Sequence, residues 1–261
     1  MISSDFRTEA RRRLSGKWGK AVCLTLAYVA VFLVLGFIEG LFPESMEGIF
    51  SIVSTVIEVP LSFGFIIAFM KLYNDEEVKA FDFFSLGFSN FAKSWKISLQ
   101  VLLKMLVPVI LIIVSYVLIL LGSLGTFGAA FYSSSATVGF GFLAIIGFIL
   151  LIVSMIWAVT KSYYYQLSYL VAVDNSDLTA KEVVEKSKEL MTDKRAKLFC
   201  LQLSFIGWAI LAAIPFGIGY LWLAPYVQFA TIAFYKFVIG DNSNVEAKVV
   251  TENNDNPVQG E

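Results

Sequence analysis

LFCLQLSFIGWAILAAIPFGIGYLWLAPYVQFATIAFYKFV, residues 198–238, is a single apolar stretch too long for one membrane crossing. A bilayer core takes about 20 residues as helix. The run is interrupted by Pro215, Gly217 and Gly219 in IPFGIGY, a turn-like composition, which predicts two helices near 198–214 and 218–238. Outward from it, runs at 21–42, 49–70, 97–121 and 139–160 are each long enough for one crossing. The expected fold is therefore all-α: a polytopic membrane protein with a six-helix transmembrane domain over 21–238. A basic segment, 1–20, precedes it, and a polar tail, 239–261, follows it and is expected to be disordered.

Composition agrees, since 57% of the 261 residues are hydrophobic and 16% charged, outside the usual shares of a soluble domain. With no histidine, Ser-His and Cys-His catalysis and HExxH metal sites are excluded. No Walker loop or dinucleotide fingerprint occurs, so no cofactor and no nucleic-acid partner are expected. Cys23 and Cys200 fall inside apolar runs and read as small buried thiols, with no disulfide or metal implied. The first 22 residues lack a short apolar region ending in a cleavage site, so a removable signal peptide is not expected.

The net charge of −1 conceals a sorted distribution. Nineteen of the 20 lysines and arginines lie before the first predicted span, between spans 2 and 3, between spans 4 and 5, or at the end of span 6 and beyond. The opposite loops carry only acids (Glu39, Glu44 and Glu47) or no charge at all. Cytoplasmic loops collect the positive residues, so both termini are expected in the cytoplasm of a cell-membrane protein.

The segments on the basic side have helical patterning. Ile2, Phe6, Ala10, Leu14 and Trp18 recur every fourth residue among Arg7, Arg11, Arg12 and Arg13, the pattern of a basic amphipathic helix at the interface. Phe81, Phe84, Phe88, Phe91 and Trp95 make a second stripe before span 3. Thr179 and Glu182 predict a capping box opening a helix over 180–191, with Val183, Val184, Leu190 and Met191 on its apolar side. Each segment ends in a lysine pair of one spacing: Lys17 and Lys20, Lys93 and Lys96, Lys194 and Lys197. Either one unit of interfacial helix plus hairpin occurs three times, or every helix entering from this side gains from cations near headgroups.

Ionisable residues within the membrane are the first candidates for function. Glu58 stands two residues before Pro60, roughly 21 Å along its span, and Lys104 roughly 12 Å along its own. A direct pair would need tilt or an outward reach, and snorkelling is the simpler role for Lys104. Arg7, Arg11, Arg12, Arg13, Lys17 and Lys20 are candidate contacts for anionic lipid headgroups. Gly36 and Gly40 form a GxxxG at the outer end of the first span. Trp157 with Tyr163, Tyr164 and Tyr165, and Trp222 with Tyr220 and Tyr226, read as interfacial belts.

LSGKWGKAV at 14–22, PLSFGF at 60–65, FDFFSLGF at 81–88 and, above all, the order ELM, LQLSFIGW, GIGYLWLAPY and AFY over 186–235 resemble domain-of-unknown-function family 975. The resemblance covers about residues 5–238 and implies a six-helix membrane protein, chiefly of Gram-positive bacteria, with no catalytic residues to carry over. The expected function is non-enzymatic: association with membrane lipids, with a membrane-protein partner or with itself. The alternative is a carrier of a small solute or lipid using a polar site near Glu58.

Overall fold

In the computed structural model, which describes residues 3–129 and 134–254, the chain divides into two units. One comprises Met1–Ser98 with Leu167–Glu261, the other Leu99–Gln166. The helices are α1 (Ser3–Leu14), α2 (Trp18–Glu39), α3 (Glu47–Tyr73), α4 (Asp82–Ser89), α5 (Phe91–Ala129) and α6 (Ser134–Tyr165). They continue with α7 (Ser168–Asp174), α8 (Ala180–Met191), α9 (Arg195–Leu203), α10 (Ile206–Ala213) and α11 (Tyr220–Asn254). No strand occurs among the described residues.

Six segments are long and apolar enough to cross a membrane: Trp18–Glu39, Gly48–Tyr73, Phe91–Gly128, Thr137–Asp174, Arg195–Ala213 and Tyr220–Gly240. The 198–238 run does fold back at the expected turn, where Phe216 and Gly217 both take positive φ, 51° and 81°. Its first arm is two helices rather than one, broken at Ser204 and Phe205. α11 runs on through Asn254, into the stretch expected to lack regular structure. Extending an existing helix avoids the cost of nucleation. Residues 255–261 lie outside the described residues.

The stripe on α1 is buried against protein: Phe6, Ala10 and Leu14 are 1%, 0% and 0% exposed. Phe6 sets its ring edge-on to Phe234 and to Phe237 of α11, each at 5.4 Å. Gly16, at φ 78°, then turns the chain into α2, so Trp18 belongs to the next helix and not to the stripe. Ile2 lies outside the described residues.

α4 uses the face its sequence stripe does not mark. Phe83 and Gly87 are buried, while Phe81, Phe88 and Phe91 point outward. The reason lies in two glycines. A Cβ on Gly87 would fall onto the Pro60 carbonyl oxygen, and one on Gly64 would fall onto the Phe83 carbonyl oxygen and within 2.6 Å of Gly87 N. α3 and α4 thus touch backbone to backbone, and Phe83 packs against the Tyr28 ring at 5.6 Å.

Proline interrupts α3 and α5, and in both the orphaned carbonyl has a new donor. Pro60 has no N–H for Val56 O, and Trp95 Nε1 donates to that oxygen at 3.3 Å. Pro108 likewise frees Lys104 O, which accepts from Lys161 Nζ at 3.3 Å.

The Leu99–Gln166 unit is an α-helical hairpin held by small residues. A Cβ on Gly122 would lie 2.8 Å from Ala144 Cα, and one on Gly147 would lie 2.9 Å from Ile119 N. Ser115 and Ser154, both buried, face each other at 3.5 Å. Close packing therefore rests on these positions rather than on Gly36, whose Cβ would meet nothing within 4 Å, or Gly40, whose Cβ would meet only carbonyls of its own chain segment.

Candidate functional site

The first lysine of each pair closes the hairpin it opens. Lys17 Nζ donates to Leu72 O at 2.8 Å and pairs with Asp75 Oδ1 at 2.6 Å, at the end of α3. Lys93 Nζ donates to Ala172 O at 2.9 Å and Ser176 O at 3.1 Å, at the end of α7. Lys194 sits over the Phe237 ring of α11 at 5.9 Å, beside Lys197 at 5.3 Å. A cation at a helix C-terminus meets the free carbonyls and the negative end of the dipole. The capping box at Thr179 forms as expected: Thr179 N donates to Glu182 Oε2 at 2.8 Å and Glu182 N to Thr179 Oγ1 at 3.4 Å. The Thr179 hydrogen bonds also hold the Glu182 carboxyl below its ordinary pKa.

Of the six candidate headgroup contacts, three are engaged within the protein. Arg12 reaches Glu9 at 2.7 Å, and Arg13 bonds Glu9 at 3.1 Å, approaches Asp75 at 3.4 Å and covers the Tyr73 ring at 5.1 Å. Lys17 is held as described. The Arg12 hydrogen bonds, aided by Arg13, hold the Glu9 carboxyl below its ordinary pKa against a smaller opposing effect of burial, and Lys17 does the same for Asp75. Arg7 is half-buried; its Nε has no hydrogen-bond partner among the described residues, and its carbonyl accepts from Tyr226 OH at 3.4 Å. Arg11 and Lys20 are exposed, with no carboxylate partner among the described residues, and Arg11 lies over the Tyr226 ring at 5.9 Å.

Glu58 is half-buried on α3, one turn before Ser62, whose hydroxyl meets Tyr28 OH at 3.0 Å. Lys104 is exposed, and its carbonyl is the one that Pro108 frees. Glu58 belongs to the first unit and Lys104 to the second. Cys23 and Cys200 are free and, contrary to the expected burial, exposed, because an apolar run does not fix which helix face other parts of the protein cover; no cluster among the described residues has the side chains to hold a metal ion.

A cavity of about 370 Å³ opens between the start of α2, α10 and α11. Trp18, Trp208, Leu211, Trp222 and Tyr226 wall it, Arg11 stands at its edge, and neither Glu58 nor Lys104 takes part. Gly219 lets the two arms meet there, because a Cβ on it would come within 2.6 Å of Ala212 Cα. Sequence reasoning assigned Trp222 and Tyr226 to an interfacial belt and passed over Trp208. The available signal was symmetry: Trp208 and Trp222 each stand seven residues from Pro215, so a hairpin folded at that proline brings them level.

Six apolar spanning segments with aromatic and basic residues at their ends define a multi-pass membrane protein. The profile of the family described as protein of unknown function DUF975 matches residues 1–242, and the chain belongs to that family. Comparison with curated proteins and with solved structures finds no match.

Proposed function

We propose that this protein acts by association within a bacterial cell membrane, with anionic lipid and with membrane-protein partners, and not by catalysis. The observation that carries the reading is Arg11 and Lys20. Where Arg12, Arg13 and Lys17 are spent on Glu9, Asp75 and a helix end, these two remain exposed beside Trp18, where α2 begins. Trp18 is an interfacial anchor by residue type, and a cation at that depth meets phosphate. The distribution of lysine and arginine supports cytoplasmic termini.

Thermal unfolding in mild detergent, titrated with phosphatidylglycerol or phosphatidylcholine, tests the reading. Phosphatidylglycerol should raise the midpoint more, and 0.5 M salt, where screening sets in within roughly 4–5 Å, should narrow the difference. Equal stabilisation by both lipids at low salt would overturn it. Reporters fused at the C-terminus and in the 75–80 loop should read cytoplasmic and one fused near residue 42 external.

A carrier mechanism is the second reading, favoured by the half-buried carboxyl of Glu58 near the Tyr28–Ser62 contact. Glu58→Gln keeps the shape of a protonated acid. Loss of a cellular phenotype in that variant, with normal insertion and unchanged thermal stability, would favour transport over association.

A further inference from the structure

We propose that the cavity between α2, α10 and α11 is a site for one anionic phospholipid, its phosphate on Arg11 and an acyl chain along Trp208 and Trp222. This rests on the lipid-association reading and gives it a place. The walls are aromatic and aliphatic except for Arg11, and no carboxylate lines them. Such a site offers hydrocarbon one surface and a negative group one partner. A free phosphate would leave the large aromatic surface unused, and that surface outweighs the few hydrogen-bonding groups a polar solute would need.

The volume, about 370 Å³, lies at the small end of ligand pockets, which run roughly 300–1,000 Å³, so it accommodates part of one lipid and not a patch of bilayer. Trp208, Leu211 and Trp222 are each more than half exposed. These residues lie in segments apolar enough to span the membrane, so a chain can enter sideways from the surrounding lipid.

The charged end of the cavity is Arg11. Among the described residues Arg11 spends its charge on the Tyr226 ring, a weak contact at 5.9 Å. Arg7, one helical turn earlier on the same side of α1, keeps a buried Nε without a hydrogen-bond partner among the described residues. Tyr226 links the pieces: it receives Arg11 over its ring, bonds the Arg7 carbonyl, and stands 6.4 Å from the Trp18 ring. Phe205 packs edge-on against it at 5.0 Å, which holds the wall in place when the cavity is empty.

The test uses the full chain in detergent micelles with phosphatidylglycerol or phosphatidylcholine brominated on the acyl chains, because bromine quenches tryptophan fluorescence on contact. Brominated phosphatidylglycerol should give a saturable phase that brominated phosphatidylcholine lacks. Arg11→Gln should raise the lipid concentration at half-quenching about tenfold, the loss expected for one charge-assisted hydrogen bond. Arg11→Lys should restore much of it, which separates a lost charge from a misfolded variant. Trp208→Leu with Trp222→Leu should remove most of the saturable phase.

Equal quenching by the two lipids, or a saturable phase untouched by Arg11→Gln, overturns the site. So does a protein whose cavity is covered by a second copy, seen as a cross-linked dimer with no saturable quenching. If phosphatidylglycerol still raises the unfolding midpoint in any of these cases, the site fails while the broader reading stands. If that stabilisation is absent too, both fail.

Discussion

The two units are both helical and both apolar, and each has close glycine contacts, yet only one of them also buries large rings. In the Leu99–Gln166 hairpin the contact is made by what is missing: glycine at 122 and 147, alanine at 144, and a pair of buried serines. Most large side chains there are exposed, from Leu102 and Leu103 to Ile156 and Val159. In the other unit, Phe6, Phe63, Phe69, Phe83, Phe229, Phe234 and Tyr235 are fully buried, and ion pairs gather at the helix ends. Lipid gives no hydrophobic reward for packing Leu on Leu, so a membrane hairpin gains by bringing backbones close; the buried rings of the other unit, most of them in the spanning segments of α3 and α11, gain from ring-on-ring contacts as well.

The strongest way to break the contrast is to insert the same side chain into both. Gly87→Leu should abolish the folded protein, since its Cβ alone would occupy the Pro60 carbonyl, and fluorescence-detected gel filtration should show only aggregate. Gly122→Leu should spread α5 from α6 but leave a monodisperse peak, with a cost in the range of about 1–3 kcal/mol for overpacking. If the two variants behave alike, the units are not built on different terms.

Next in size is Phe6→Ala, which removes a fully buried ring between Phe234 and Phe237. Truncating a buried aromatic costs about 3–5 kcal/mol. The unfolding midpoint should fall accordingly, and limited proteolysis should cut first near residue 15, where α1 detaches. Phe127→Ala, at a side chain 73% exposed, should move the midpoint little.

The smallest effect concerns acid. The folded-state pKa values of Glu9 and Asp75 are lowered by their cationic neighbours, so the stability they contribute is present above the ordinary values of 4.5 and 3.8. It is lost as pH falls through the lower folded values. Unfolding midpoints measured from pH 6 downward should therefore drop, and Glu9→Gln with Asp75→Asn should flatten that drop. An unchanged slope in the double variant would show that these pairs contribute nothing, as is common for exposed pairs.

Much of this architecture is legible in sequence, because a membrane imposes length and apolarity on every span. The hairpin at Pro215 and the capping box at Thr179 follow from local chemistry and occur where the residues place them. What periodicity reports is that a helix face is apolar, not what covers it. The α1 stripe was readable, but its partner α11 lies more than 200 residues away. On α4 the aromatic stripe drew attention away from Gly87, whose role depends on Gly64 in another helix. The donors that serve the carbonyls freed by Pro60 and Pro108, Trp95 and Lys161, likewise lie on other helices. Of the site residues, Arg11 was named from its charge. The cavity beside it was not, because Trp18 lies about 190 residues before Trp208 and Trp222 and joins their wall only after folding.

Lys17 has a history as well as a position. Its partner Leu72 is 55 residues downstream, so at synthesis rates of about 5–20 residues per second it emerges roughly 3 to 11 s later. In that interval the ammonium is an uncommitted charge of the kind that orients a first helix as it enters the bilayer. When α3 returns, the same group meets the Leu72 carbonyl and locks the turnaround. Lys93 waits longer, because Ala172 is 79 residues away. The lysines record the order in which the hairpins were made.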